Sequence, residues 1–378
     1  MKKKFLIALT LLFIAGCIPS QIKIAPRKGD DSRSMYGSTP GREFISNESP
    51  GDSLVELWEY STNGSFPSNA VTVYDSFAFV NDLSGRIYCI HIYTGKRLGQ
   101  IKNKGCVYSA PVINRNSLIY VSAITGEDES NVVFYDYING QIKDETIVDG
   151  LMITELIKVE DGVLFTTENG KVYKFNFIGQ KVWELDTKTS TRSIPSADET
   201  YLLFANDEGE LICIDHTKGT IKYKIIIGEP VFSGSAISGK NFYLSDNSGV
   251  VYKFDISSGK ILNRFDSGAR ILMSPSIQND NLYIGNLRGE LFSLSTGDLS
   301  LNWKLKTDGV LNASPLVTEN KLVVPDLNRR IFYVNKFSGS LERTFEIDGR
   351  VKHTPVIVDG KLLVGYDSGI LKAYEITN

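Results

Sequence analysis

The sequence predicts an all-β chain: an eight-bladed β-propeller of four-stranded antiparallel blades, closed by an N-terminal outer strand. Three observations carry that expectation. The 378 residues are 42% apolar and rich in Gly, Tyr, Phe and β-branched residues, with turn dipeptides about every ten residues, which marks strands rather than helices. The stretch "NSGVVYKFDISSGK" at 247–260 has near copies along most of the chain. The two ends of the repeating region each hold part of one unit, as a closed ring requires.

The chain begins with a targeting segment. "MKKKFLIALTLLFIAGC" has Lys2, Lys3 and Lys4, an apolar run from Phe5 to Ile14, then Ala15, Gly16 and Cys17. That run is too short for a stable membrane-spanning helix, and the basic start with small residues at its end marks a secretory signal. "IAGC" resembles a bacterial lipobox, which implies cleavage before Cys17 and diacylation of that cysteine. Two acyl chains suffice for stable anchoring, so residues 1–17 predict a lipid anchor outside the cytoplasm. Residues 18–53 are rich in Gly, Pro, Ser and Asp and show little apolar periodicity. They read as a flexible tether, with a reach of roughly 30–35 Å as a random coil.

The propeller is expected over 54–378. A glycine opens each third strand, and its positions are Gly85, Ser130 (a replacement), Gly170, Gly209, Gly249, Gly289, Arg329 (a replacement) and Gly369. Successive spacings are 45, 40, 39, 40, 40, 40 and 40. A period near forty, filled by several short strands, is the signature of propeller blades. Each unit opens with a strand such as "SAPVI" (109–113) or "HTPVI" (353–357). A second strand such as "NLYIG" (281–285) follows, then the glycine and third strand, and a G-K turn into the fourth. Asp136, Asp215 and Asp255 each precede a turn glycine by four residues, where an Asp side chain accepts backbone N–H groups and Gly supplies the positive φ. His91, Asn176, Ser295, Asn335 and Glu375 take that place in the other units. After Gly369 only one strand remains, "ILKAYEIT", whereas "LWEYSTNG" (57–64) matches the outer strand "NWKLKTDG" (302–309). The N-terminal strand is therefore expected to complete the last blade.

The pattern G-x-[LIV]-[YF]-x-[FIL]-D-x-x-x-G-K, followed by Trp on the next strand, resembles the quinoprotein-type (PQQ-like) propeller repeat from about Leu54 to Asn378. The early "SMYGSTPGR" (34–42) is similar to the lead-in of such proteins. A lipid anchor and eight bare blades look most like the propeller lipoprotein family of the outer-membrane β-barrel assembly machinery. That resemblance implies a non-catalytic scaffold on the periplasmic face of the outer membrane, docked on the barrel-inserting subunit. The family's Leu-x-Leu-Arg element aligns with "TKTSTRSIPS" (187–196), where Arg192 matches and Thr189 and Thr191 stand in place of the leucines. The family's D-x-D before the following blade has no counterpart in "GEPVFSGS" (228–235).

The same repeat occurs in quinoprotein dehydrogenases, which use adjacent cysteines and a stacking Trp. Here no two cysteines are adjacent, and Trp58, Trp183 and Trp303 fall on outer strands, so no cofactor is expected. Cys89 and Cys213 share one repeat position in blades one and four and are too far apart to pair, whereas a Cys89–Cys106 disulfide is sterically conceivable beside buried free thiols. His91, His216 and His353 sit at unrelated repeat positions, and acidic turns such as "NDEGE" (206–210) lack the ligand order of a calcium loop. A net charge of −3 and pI near 5.8 leave no broad basic footprint for nucleic acid.

Departures from the repeat point to a partner surface. The second unit is five residues longer, and the addition, "TGEDESN" (125–131), is acidic. Glu127, Asp128 and Glu129 lie between second and third strands, and Arg192 lies between one blade's fourth strand and the next blade's first. Both loop types emerge on one face, and Arg329 and Arg330 share it across the channel. An envelope protein is the expected partner there; another anchored propeller that binds glycan or a different envelope protein is the other function class.

Overall fold

The computed structural model describes residues 21–27 and 33–376. In the unit 235–266, strands Ser235–Ser238, Asn241–Ser245, Val250–Asp255 and Ile261–Asp266 pair antiparallel in chain order. The inner three strands are largely buried, while the outer strand alternates between half-buried and exposed residues. Apolar side chains project from both faces of the inner strands, so each blade needs a neighbour on each side.

Eight such sheets occur among the described residues, as the repeat predicted. The last has the order Val55–Ser61, Ile370–Glu375, Lys361–Tyr366, Val356–Val358, with Val55 opposite Glu375 and Trp58 opposite Ala373. The ring is thus closed by the N-terminal strand. Apolar clusters fill the clefts between blades. One joins Val80 and Tyr88 of the first blade to Leu363 and Leu371 of the eighth, so the closure cleft is packed like the others.

The repeat residues explain the local geometry. Gly249 has φ of 97°, and a Cβ there would lie 2.0 Å from the Ala269 carbonyl oxygen. Glycine is needed both for its conformation and for the approach of the next loop. Arg329 takes the same conformation, with φ of 65°. Blade two differs: its hairpin, Ser117–Ile124 with Glu129–Asp136, is longer, and positive φ moves from the anchor position to Asp128 at 54°. Asp255 Oδ1 accepts the Ser258 N–H at 2.8 Å, and Asn335 Oδ1 accepts those of Phe337 and Ser338 at 3.1 Å, the expected turn caps. The Trp58, Trp183 and Trp303 indoles donate to the carbonyls of Ile92, His216 and Lys336 in the following blade, at 2.9, 3.0 and 2.9 Å.

The segment expected to be a tether is a correction. Residues 21–27 and 33–53 are packed on the ring. Ile22 and Ile24 join the cluster between blades one and two, Ile24 N–H donates to Tyr137 O at 2.8 Å, and Tyr135 Oη donates to Ile22 O at 2.9 Å. Residues 34–46 then cross one end of the channel. They exchange backbone hydrogen bonds with Ile113, Ala197, Ile237, Ile277 and Val317, which belong to the inner strands of five blades. The channel-facing edge of each innermost strand has no strand partner of its own, so a chain laid across it satisfies groups that burial would otherwise leave unpaired.

Candidate functional site

The other end of the channel is open. The loops leading into the inner strands converge on a funnel of about 440 Å³. One residue per blade lines its mouth at the same repeat position: Ser68, Tyr108, Ile153, Arg192, Phe232, Leu272, Asn312 and Lys352. No two are alike. Tyr108, Ile153, Phe232 and Leu272 are half-exposed, so blades two to six form an apolar arc around Arg192, while Asn312, Lys352 and Ser68 complete a polar remainder. The Arg192 guanidinium lies 4.8 Å from the centre of the Phe232 ring, with Arg270 at 5.8 Å. Arg192 is also paired with Asp207 at 2.8 Å, so its charge is oriented before any partner arrives.

The funnel floor is charged and sealed. Glu155 is 3% exposed; its carboxylate accepts from Asn69 Nδ2 at 2.9 Å, Ser109 Oγ at 3.0 Å and the Ala110 N–H at 3.2 Å. Arg42, from the segment that crosses the far end, is fully buried and donates to Pro195 O at 3.2 Å, to Leu156 O at 3.0 Å and to Tyr36 O. Burial pushes Glu155 up to about 7, although Arg42 pulls it down. Burial likewise lowers Arg42 to about 10 against the pull of Glu155, and raises Tyr36 to about 12. A carboxyl held this way is poised near neutrality.

The predicted residues fall into two groups. Arg192 lines the funnel. Glu127 is exposed and paired with Lys104 across the blade one–two boundary, and Glu129 sits within the lengthened hairpin. Arg330 is held by Asp326 at 2.8 Å and by Asp308, and Arg329 shapes its own turn. Glu127, Asp128, Glu129, Arg329 and Arg330 therefore lie on outer turns, and none lines the funnel. Cys17 lies outside the described residues. The sequence reading passed over the arc. Its signal was present as the residue three or four steps after each loop's bend, where unlike side chains recur at a spacing near forty.

Cys89, Cys106 and Cys213 are free thiols, and burial raises Cys213 to about 12 and Cys89 further. Among the described residues no three His, Cys, Asp or Glu side chains gather as metal ligands. The residues present do not fit a pyrroloquinoline quinone. All three tryptophans are committed to docking outer strands on the next blade, so none is placed in the funnel to stack on the quinone rings.

Comparisons with known proteins agree with the resemblance read from the repeat. Residues 168–304 match the family model described as outer membrane protein assembly factor BamB. The crystal structure of BamB from Moraxella catarrhalis superimposes with a TM-score of 0.69 at 14% identity, covering 85% of this chain and all of that one. The computationally designed Ika8 protein gives 0.74 at 16% identity, over 85% of this chain and all of that one. Quinohemoprotein alcohol dehydrogenase ADHIIG from Pseudomonas putida gives 0.74 at 10% identity, over 92% of this chain and 80% of that one. At these identities the structures share a fold, and a fold alone does not specify an activity. No curated protein sequence matches the chain.

Proposed function

We propose that this chain is a non-catalytic, membrane-anchored scaffold for outer-membrane β-barrel assembly, lipidated at Cys17 and held on the periplasmic face of the outer membrane. The observation that carries the reading is the apolar arc Tyr108–Ile153–Arg192–Phe232–Leu272. Aromatic and aliphatic groups around a pre-oriented arginine are the composition of a protein-binding hot spot. A glycan site would want flat aromatic platforms among many hydrogen-bonding groups, and here aliphatic residues make up half of the arc's apolar members. The match of residues 168–304 to an assembly-factor family supports the same reading, since that stretch contains Arg192, Phe232 and Leu272. Non-catalysis is supported by a channel occupied from below by the chain's own Tyr36–Phe44 segment. Glu127, Asp128, Glu129, Arg329 and Arg330 would then form an outer rim around the arc, adding steering rather than affinity.

In-cell cross-linking of the tagged protein, with mass spectrometry of what it carries, tests this. Recovery of the barrel-inserting subunit, lost in Phe232→Ala and Arg192→Ala, is the expected result. Recovery of cell-wall enzymes or surface proteins alone would move the function to a glycan- or envelope-binding propeller.

A further inference from the structure

The docked residues 21–27 change what an anchor at Cys17 can do, and this inference rests on the anchor reading above. Gln21 and Ile22 lie against the outer strand Arg97–Lys102 of blade one. A Cβ on Gly99 would come within 2.7 Å of the Gln21 carbonyl oxygen and of Ile22 Cα, so that glycine makes room for the chain. From there the strap runs down the cleft between blades one and two. Ile22 is 0% exposed and Ile24 8%, and the Arg27 N–H donates to Asp75 Oδ2 at 2.7 Å. Burying two isoleucines is worth roughly 3–6 kcal/mol together, so the strap is a fixed part of the rim.

Four Cα steps separate Cys17 from Gln21, which span at most roughly 14 Å fully extended. A coil of the whole 18–53 segment would have let the ring turn freely. We propose that the rim formed by blades one and two faces the lipid surface, so that the ring stands on edge and both channel mouths open along the membrane plane. The side chains there suit an anionic bilayer. Lys23, Lys96, Arg97 and Lys143 are exposed, as is Ile142. The acidic groups of these elements are the half-buried Asp144, the exposed Glu145, Asp149, which is paired with Lys171, and Asp75, which accepts the Arg27 N–H; in the neighbouring hairpin Glu127 is paired with Lys104. Each exposed cation near such a surface adds attraction that salt screens. The apolar arc is then presented sideways, toward a protein seated in or on the same membrane.

Lys96 and Lys260 occupy the same repeat position four blades apart, both exposed, each next to a turn glycine. The test uses full-length protein extracted from membranes and reconstituted in vesicles of phosphatidylethanolamine and phosphatidylglycerol that carry a headgroup acceptor dye. A donor is placed on Lys96→Cys or Lys260→Cys, and the unsubstituted protein gives the labelling background of Cys106. Energy transfer at least twofold stronger from position 96 is expected. Inserting twenty Gly/Ser residues after Ser20 should abolish the difference while the protein stays bound. The mass of the Cys17 peptide is read in the same samples. Equal transfer from both positions with the lipid mass present overturns the edge-on arrangement alone. Absence of the lipid mass overturns the anchor reading and this inference with it.

Discussion

The two mouths of the channel are made from the same eight repeats and end differently. At one, inner-strand backbone groups meet residues 34–46 of the same chain through hydrogen bonds that any side chain permits. At the other, one side chain per blade faces an open funnel, and there the repeat carries eight different residues. The contrast separates positions that hold the ring from positions free to recognise something. Where the backbone does the joining, identity matters little except at Arg42, whose side chain bonds three carbonyls; where only a side chain projects into open space, identity is the content of the site.

The largest effect that could break this contrast is at the sealed end. Arg42→Ala removes three donors from buried carbonyls and leaves Glu155 without its neighbouring charge. Leaving buried carbonyls without their donors costs about 1–3 kcal/mol for each one left unpaired, so urea unfolding should show a clear fall in midpoint. An unchanged midpoint would return residues 34–46 to a passive tether. A second effect is pH-dependent. The folded pKa of Glu155, about 7, lies above its ordinary 4.5, so the folded state holds the proton that the unfolded chain has lost. Stability from this group is fully present below about pH 4.5 and is lost as pH rises to 7, by roughly 3 kcal/mol. Glu155→Gln should flatten that part of the melting-temperature profile; a slope equal to the parent's would assign the titration elsewhere.

At the open end the expected effects are on binding. Phe232→Ala should weaken capture of a protein partner by about 10–100-fold and leave the unfolding midpoint nearly unchanged, because the ring is half-exposed. A drop in stability instead would make Phe232 a packing residue. The smallest effect belongs to Glu127→Ala, which breaks an exposed pair with Lys104 and should change stability by less than about 1 kcal/mol. If it weakened the partner as much as Phe232→Ala, titration calorimetry would move the site outward to the hairpin of blade two.

The ring was legible because most blades repeat parts of one solution: a glycine forced by φ and by the approaching loop, a polar turn cap, and in three blades a tryptophan seated on the next blade. Closure was legible because Trp58 and Gly64 keep the spacing of Trp303 and Gly309. The N-terminal segment was not, because a chain laid across inner strands makes only one or two backbone bonds per blade and needs no periodicity of its own. Ile22 and Ile24 do alternate with Gln21 and Lys23, but four residues beside a proline are too few to tell a docked strap from a coil. The funnel was half legible. Arg192 was found through a resemblance and the acidic hairpin through an insertion, while Phe232 and Leu272 sit where nothing departs from the spacing.

The pairing of Val55–Ser61 with Ile370–Glu375 also dictates an order of events during synthesis. A chain delivered N-terminus first exposes the closing strand about three hundred residues before its partner exists. Until then Val55 and Leu57 lie on an edge with unpaired backbone groups, open to any strand that reaches them. Residues 370–375 are the ones that end this exposure, so a chain stopped before them would be released as an open arc with two adhesive edges.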